Sequence, residues 1–118
     1  MAFKNTFIPY GGYWSTPFCA WQKSFQNQHS IKFAAQIGKR FLDDKKIDPK
    51  GFDELIFGIS IPQLSAFYGT PWLAGMIGAD SITGPMIGQA CATGARGVEL
   101  ATLGIETGLR KNVLVVFH

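Results

Sequence analysis

Nucleophilic and titrating side chains are scarce in this 118-residue chain, which holds two cysteines and two histidines. Cys91 stands out among them by its setting, Gln89-Ala90-Cys91-Ala92-Thr93-Gly94-Ala95. Residues 82–87 have strand character, and from Cys91 the small or apolar residues Gly94, Val98, Ala101 and Ile105 recur at helical steps. A thiol at a strand-to-helix junction meets free backbone N–H groups and the positive end of the helix dipole, and both favour thiolate. Ala92, Thr93 and Gly94 are small enough to let an acyl group or a second backbone come close. The competing reading makes Cys91 a buried small hydrophobe. A helix end supplies only about 0.3–1 kcal/mol, so a thiol with a pKa of about 8.5 still needs a base or a cation.

The other candidates have weaker settings. Cys19 lies in an aromatic-rich stretch without an obvious activating neighbour and reads as an inert thiol. His29, at a helix entrance, is either a base or a capping residue. His118 follows the last strand. A seventeen-residue helix travels about 25 Å from Cys91, and a six-residue strand returns about 20 Å toward the same edge, so His118 is a candidate base for Cys91. Arg96 is either a contact for an anionic acyl chain or a surface arginine. Asp53 and Glu54 sit at a strand start and carry no catalytic role.

The segment around Cys91 resembles the nucleophile segment of thiolases, in which a cysteine precedes a small residue, Ser or Thr, and Gly at a helix start. Three further segments resemble the same family in order: Ser15-Thr16-Pro17-Phe18, Phe52-Asp53-Glu54-Leu55-Ile56-Phe57-Gly58 and Asn112-Val113-Leu114-Val115-Val116. Ser15 departs from the pattern, which carries arginine there. Related β-ketoacyl synthases have similar nucleophile segments. The resemblance implies an acyl-CoA acyltransferase of the acetyl-CoA acetyltransferase or 3-ketoacyl-CoA thiolase kind, with Cys91 accepting the acyl group. It implies a coenzyme A thioester as substrate and no resident cofactor or metal.

In the family a histidine in a Gly-His-Pro motif activates the nucleophile, and a second cysteine in a Cys-x-Gly-Gly motif exchanges protons with the substrate. These 118 residues contain neither motif. Residues 1–118 therefore correspond to a partial N-terminal domain, roughly the first third of a thiolase, expected to be inactive without the C-terminal half. The alternatives are a non-catalytic interaction subunit, a fragment of a β-ketoacyl synthase-type condensing enzyme, or an inactive remnant. The implied partners are an acyl-CoA and either a second copy of the chain or a complementing thiolase subunit.

The elements that must position Cys91 follow from periodicity and turn signals. Strands are expected at 6–10, 54–61, 81–88 and 112–117. Helices are expected from an N-cap at Ser30 to Asp44, from an N-cap at Thr70 over 72–79, and from Cys91 to Thr107 with Gly108 as a left-handed end. The order is β-α-β-α-β-α-β, an α/β thiolase-like layered fold with an incomplete first half and a mostly parallel mixed sheet. In the aromatic stretch Tyr13 to Phe25, core or interface sealing is favoured over an acyl pocket.

Composition narrows the remaining classes. The formal charge of +3 is mild, and its lysines and arginines are scattered in pairs, which gives nucleic-acid binding little support. No apolar run approaches membrane-spanning length. Two cysteines suggest neither a disulfide framework nor a zinc site. A reducing cytoplasm is the default expectation.

Overall fold

A computed structural model of the protein describes residues 3–118. Three parallel strands, β1 (Glu54–Gly58), β2 (Met86–Ile87) and β3 (Val113–Phe117), form a sheet in the order β2-β1-β3. Helices α1 (Ser30–Lys45), α2 (Gly69–Ile77) and α3 (Thr93–Glu106) supply the outer layers. The central strand β1 is nearly all apolar, and Leu55 through Ile59 are buried, as a strand covered on both faces requires.

Strand alternation divides the layers. Leu55, Phe57, Ile59, Leu114 and Val116 join Ile31, Ala35 and Leu42 of α1 and Leu73, Ala74 and Ile77 of α2 in one core. On the opposite face α3 lies close against the sheet. A Cβ added at Gly97 would stand 2.9 Å from Val115 Cγ1, and one at Gly94 would stand 2.6 Å from the Phe117 ring. The layered α/β architecture is the one expected.

Several boundaries differ from the sequence reading. Residues 6–10 form no strand among the described residues. A strand exists through its ladder partner, and this segment is held instead by a side chain: Glu106 Oε1 accepts from the N–H groups of Lys4, Asn5 and Thr6 at 3.1, 2.8 and 2.8 Å. The Glu106 carboxyl is accordingly held below the ordinary range, chiefly by the Asn5 N–H. The four-strand order therefore loses its first member, and the strands that remain are all parallel.

Strand β1 ends at Gly58, before Pro62. Past it, Ile59 N–H to Ile87 O and Ser60 N–H to His118 O, both 2.9 Å, and His118 N–H to Gly58 O at 3.0 Å continue the pairing. β2 is reduced to two residues. Pro85 cannot donate to a ladder, and the Gly84 backbone passes so close to the Leu55 carbonyl that no Cβ fits there. Helix α2 starts at Gly69, with Tyr68 rather than Thr70 as N-cap. The Thr70 hydroxyl is buried and unpartnered among the described residues.

Helix α1 is capped by His29 rather than Ser30. His29 Nδ1 accepts from Ile31 N–H at 3.3 Å, and Nε2 donates to Leu64 O at 3.0 Å. Both ring nitrogens are thus committed to cap and loop, and the reading of His29 as a base lapses. In the aromatic stretch, Trp14 stacks on Phe41 with centroids 4.7 Å apart and Phe25 on Phe33 at 4.8 Å, sealing the outside of α1. No helix among the described residues is long and apolar enough to cross a membrane.

Candidate nucleophile turn at Cys91

Cys91 lies where β2 gives way to α3, in a short 3-10 turn (Ala90–Ala92) that precedes the helix proper. Its residue is exposed, so the buried-hydrophobe reading fails. The helix begins at Thr93, two residues later than expected. Gly88 packs over the end of β1, where a Cβ would stand 3.1 Å from Ile59 O. The turn therefore sits at the carboxyl edge of the parallel sheet, where α/β proteins gather their ligands.

Its backbone is unusual. Ala90, immediately before Cys91, has φ +47°, a left-handed conformation that costs a residue with a Cβ about 1 kcal/mol or more. Thr93 closes the turn from below. Its hydroxyl donates to Ala90 O at 2.7 Å and accepts from Gln89 N–H at 2.8 Å, while its own N–H also reaches Ala90 O. Thr93 is 1% exposed. Its methyl faces Gly58, where an added Cβ would stand only 2.5 Å away. Thr93 is thus no open space beside the thiol, and the room at Gly94 is taken by the Phe117 ring.

The inner face of α3 matches the one expected only in part. Thr93, Gly97, Ala101 and Thr102 are buried, while Val98 is 40% exposed. Small residues face the sheet because the helix approaches it closely; of the expected stripe, Gly94 and Ala101 lie on the sheet side and Val98 does not.

Among the described residues no side chain hydrogen-bonds the Cys91 thiol. His118 does not supply its base: Nε2 shares a 2.9 Å hydrogen bond with Ser30 Oγ, and the ring lies 6.0 Å from that of Phe57. Strand parity explains this. Phe117 faces α3, so His118 faces α1. Burial, and next the nearby His29, push its pKa down. Arg96 pairs with Glu99 at 2.6 Å on the helix surface, as a surface arginine does. Asp53 accepts from the N–H groups of Lys111 and Asn112 at 2.6 and 2.9 Å, a structural task.

Cys19 is exposed and its thiol donates to Ala20 O at 3.4 Å, while the nearby Ser24 side chain, the largest cause, lowers its pKa. The left-handed Ala90 and the Thr93 clamp went unnoticed in the sequence, since neither Gly nor Asn marks the turn. The threonine two residues after the cysteine was the only available signal.

A family model described as the thiolase N-terminal domain matches residues 13–116. Among solved structures, the chain is similar to 3-oxoacyl-[acyl-carrier-protein] synthase III from Aquifex aeolicus VF5, with 24% identity and a TM-score of 0.66. That match covers 76% of this chain and 30% of the other. It is also similar to the Bacillus anthracis acetyl-CoA acetyltransferase, with 21% identity and a TM-score of 0.66, covering 75% of this chain and 23% of that one. At these identities the likeness is one of fold, and this chain spans less than a third of either structure. No curated protein matches it.

Proposed function

Because the chain belongs to the thiolase family through its N-terminal domain, we propose that Cys91 is an acyl-accepting nucleophile toward coenzyme A thioesters. The observation that carries this reading is the exposed thiol on a left-handed turn at the start of α3, at the carboxyl edge of the sheet. The Cys91 thiolate adds to the thioester carbonyl. The tetrahedral oxyanion then expels the coenzyme A thiolate, which takes up a proton, and the acyl group remains on Sγ. The Cys91 N–H, in the short turn that leads into α3, would stabilise the oxyanion. Coenzyme A thioester is a substrate in this reading, and no resident cofactor is invoked.

Completing a thiolysis or a condensation needs a base and a second proton-transfer group. The thiol has no such neighbour among the described residues. The chain alone is therefore proposed to perform the acylation half-reaction slowly and not to turn over. Incubation with acetyl-CoA followed by intact-mass and peptide mass measurement tests this. An acetyl adduct on Cys91 that survives Cys19→Ser and is lost in Cys91→Ala is expected. An adduct on Cys19 alone, or none, rejects the reading.

A second reading, a subunit that docks onto another copy or a complementing chain, is favoured by exposed apolar side chains. Phe7, Tyr10, Phe18, Trp21, Leu64 and Phe67 are all exposed, apolar surface that a partner would cover. Light scattering coupled to size exclusion is expected to give an assembly larger than one chain. A well-folded monomer at all concentrations rejects it.

A further inference from the structure

We infer that Thr93 is the positioning residue of the Cys91 turn, acting through its hydroxyl rather than by leaving space for substrate. The inference rests on Cys91 being the reactive thiol and concerns what makes it so. The Thr93 hydroxyl accepts from Gln89 N–H at 2.8 Å and donates to Ala90 O at 2.7 Å. It thereby bridges the Gly88–Gln89 and Ala90–Cys91 peptide groups, closing a loop around Gln89 and the left-handed Ala90. Nothing about alanine favours φ +47°, so this conformation persists only where its surroundings impose it. With the bridge in place the next residue, Cys91, is held outward at the start of α3.

The rest of the Thr93 environment keeps the hydroxyl in register. The side chain is buried, and its methyl occupies the space that the absent side chain of Gly58 leaves over β1. A β-branched residue is stiff at χ1, and the methyl seated over β1 adds packing against the central strand. One residue thus couples the central strand to the cysteine turn. Serine would keep the bridge and lose the wedge, whereas valine would keep the shape and lose the bridge.

The test uses the full chain carrying Cys19→Ser, so that Cys91 is the only thiol, and measures its alkylation by iodoacetamide alongside thermal unfolding. Thr93→Val is expected to slow alkylation about two- to tenfold, the scale of a lost hydrogen bond. Thr93→Ser is expected to react like the parent even if its melting temperature is lower. Ala90→Gly, which frees the left-handed φ from its Cβ penalty, is expected to restore much of the rate in the Thr93→Val background. An unchanged rate in Thr93→Val overturns the inference, as does a rate in Thr93→Ser that falls as far as in Thr93→Val. If Thr93→Val does not fold, Thr93→Ser decides alone: a parent-like rate supports the bridge, and a rate that drops with stability overturns it. Alkylation needs no acyl transfer, so failure to form an acetyl adduct rejects the proposed function without deciding the role of Thr93.

Discussion

Cys19 and Cys91 are both exposed, but their surroundings differ in kind. Cys91 owes its setting to backbone: a left-handed turn, the first N–H groups of α3 and the clamp beneath. Cys19 sits in an exposed segment, where its thiol donates to Ala20 O at 3.4 Å and the nearby Ser24 side chain lowers its pKa. A thiolate alkylates and a thiol does not, so at neutral pH Ser24→Ala is expected to slow alkylation of Cys19 and leave Cys91 unchanged. Peptide-resolved labelling at a fixed time checks this, and equal slowing of both cysteines would contradict it. The identity of the junction cysteine was legible in the sequence because the strand-like run, the thiol and the small residues follow one another directly. The conformation of its turn was not. Ala90 carries no sign of a positive φ, and only the folded contacts of Thr93 impose one.

At the scale of elements, the parts that could be read were those in which hydrophobicity and burial coincide. The run Leu55–Ile59 announces a strand buried on both faces, and Ile31, Ala35, Gly38 and Leu42 announce the inner face of α1. Helix α3 breaks that correspondence. Its sheet-facing positions include Gly94 and Gly97, chosen by clearance, while the larger Val98 stays on the solvent side. The first expected strand failed for another reason, since residues 6–10 have the composition of a strand but no ladder partner among the described residues. The contrast between Gly97 and Val98 makes a direct prediction. Gly97→Ala places a Cβ 2.9 Å from Val115 Cγ1 and is expected to destabilise by about 1–3 kcal/mol, as overpacking does. Val98→Ala is expected to stay within about 0.5 kcal/mol. Urea unfolding of the two variants distinguishes the faces, and the reverse order would put Val98 on the inner one.

For the molecule as a whole, acid should act in two stages, because three titrating groups tie separate parts of the chain together. His118 links the end of β3 to the start of α1 through Ser30. Its pKa is depressed, first by burial and then by His29. The unfolded chain therefore binds a proton at His118 more readily than the folded one, and stability present above about pH 6.5 is lost as pH falls through the lower folded value. Asp53 holds the N–H groups of Asn112 and Lys111 at the entrance to β3, and Glu106 holds Lys4 to Thr6 against α3. Both carboxyls titrate below their ordinary values, Asp53 chiefly through the Asn112 N–H and Glu106 chiefly through the Asn5 N–H. Their contribution is present above about pH 4 and disappears as pH falls through the folded values. Urea midpoints measured from pH 8 down to pH 3 should thus decline first below about 6.5 and again below about 4. Exchanging His118 for Gln should remove the first decline and spare the second. Asp53→Asn and Glu106→Gln together should lower the midpoint at neutral pH and flatten the second decline. A single acid transition that His118→Gln leaves in place would show that the imidazole is not what joins β3 to α1.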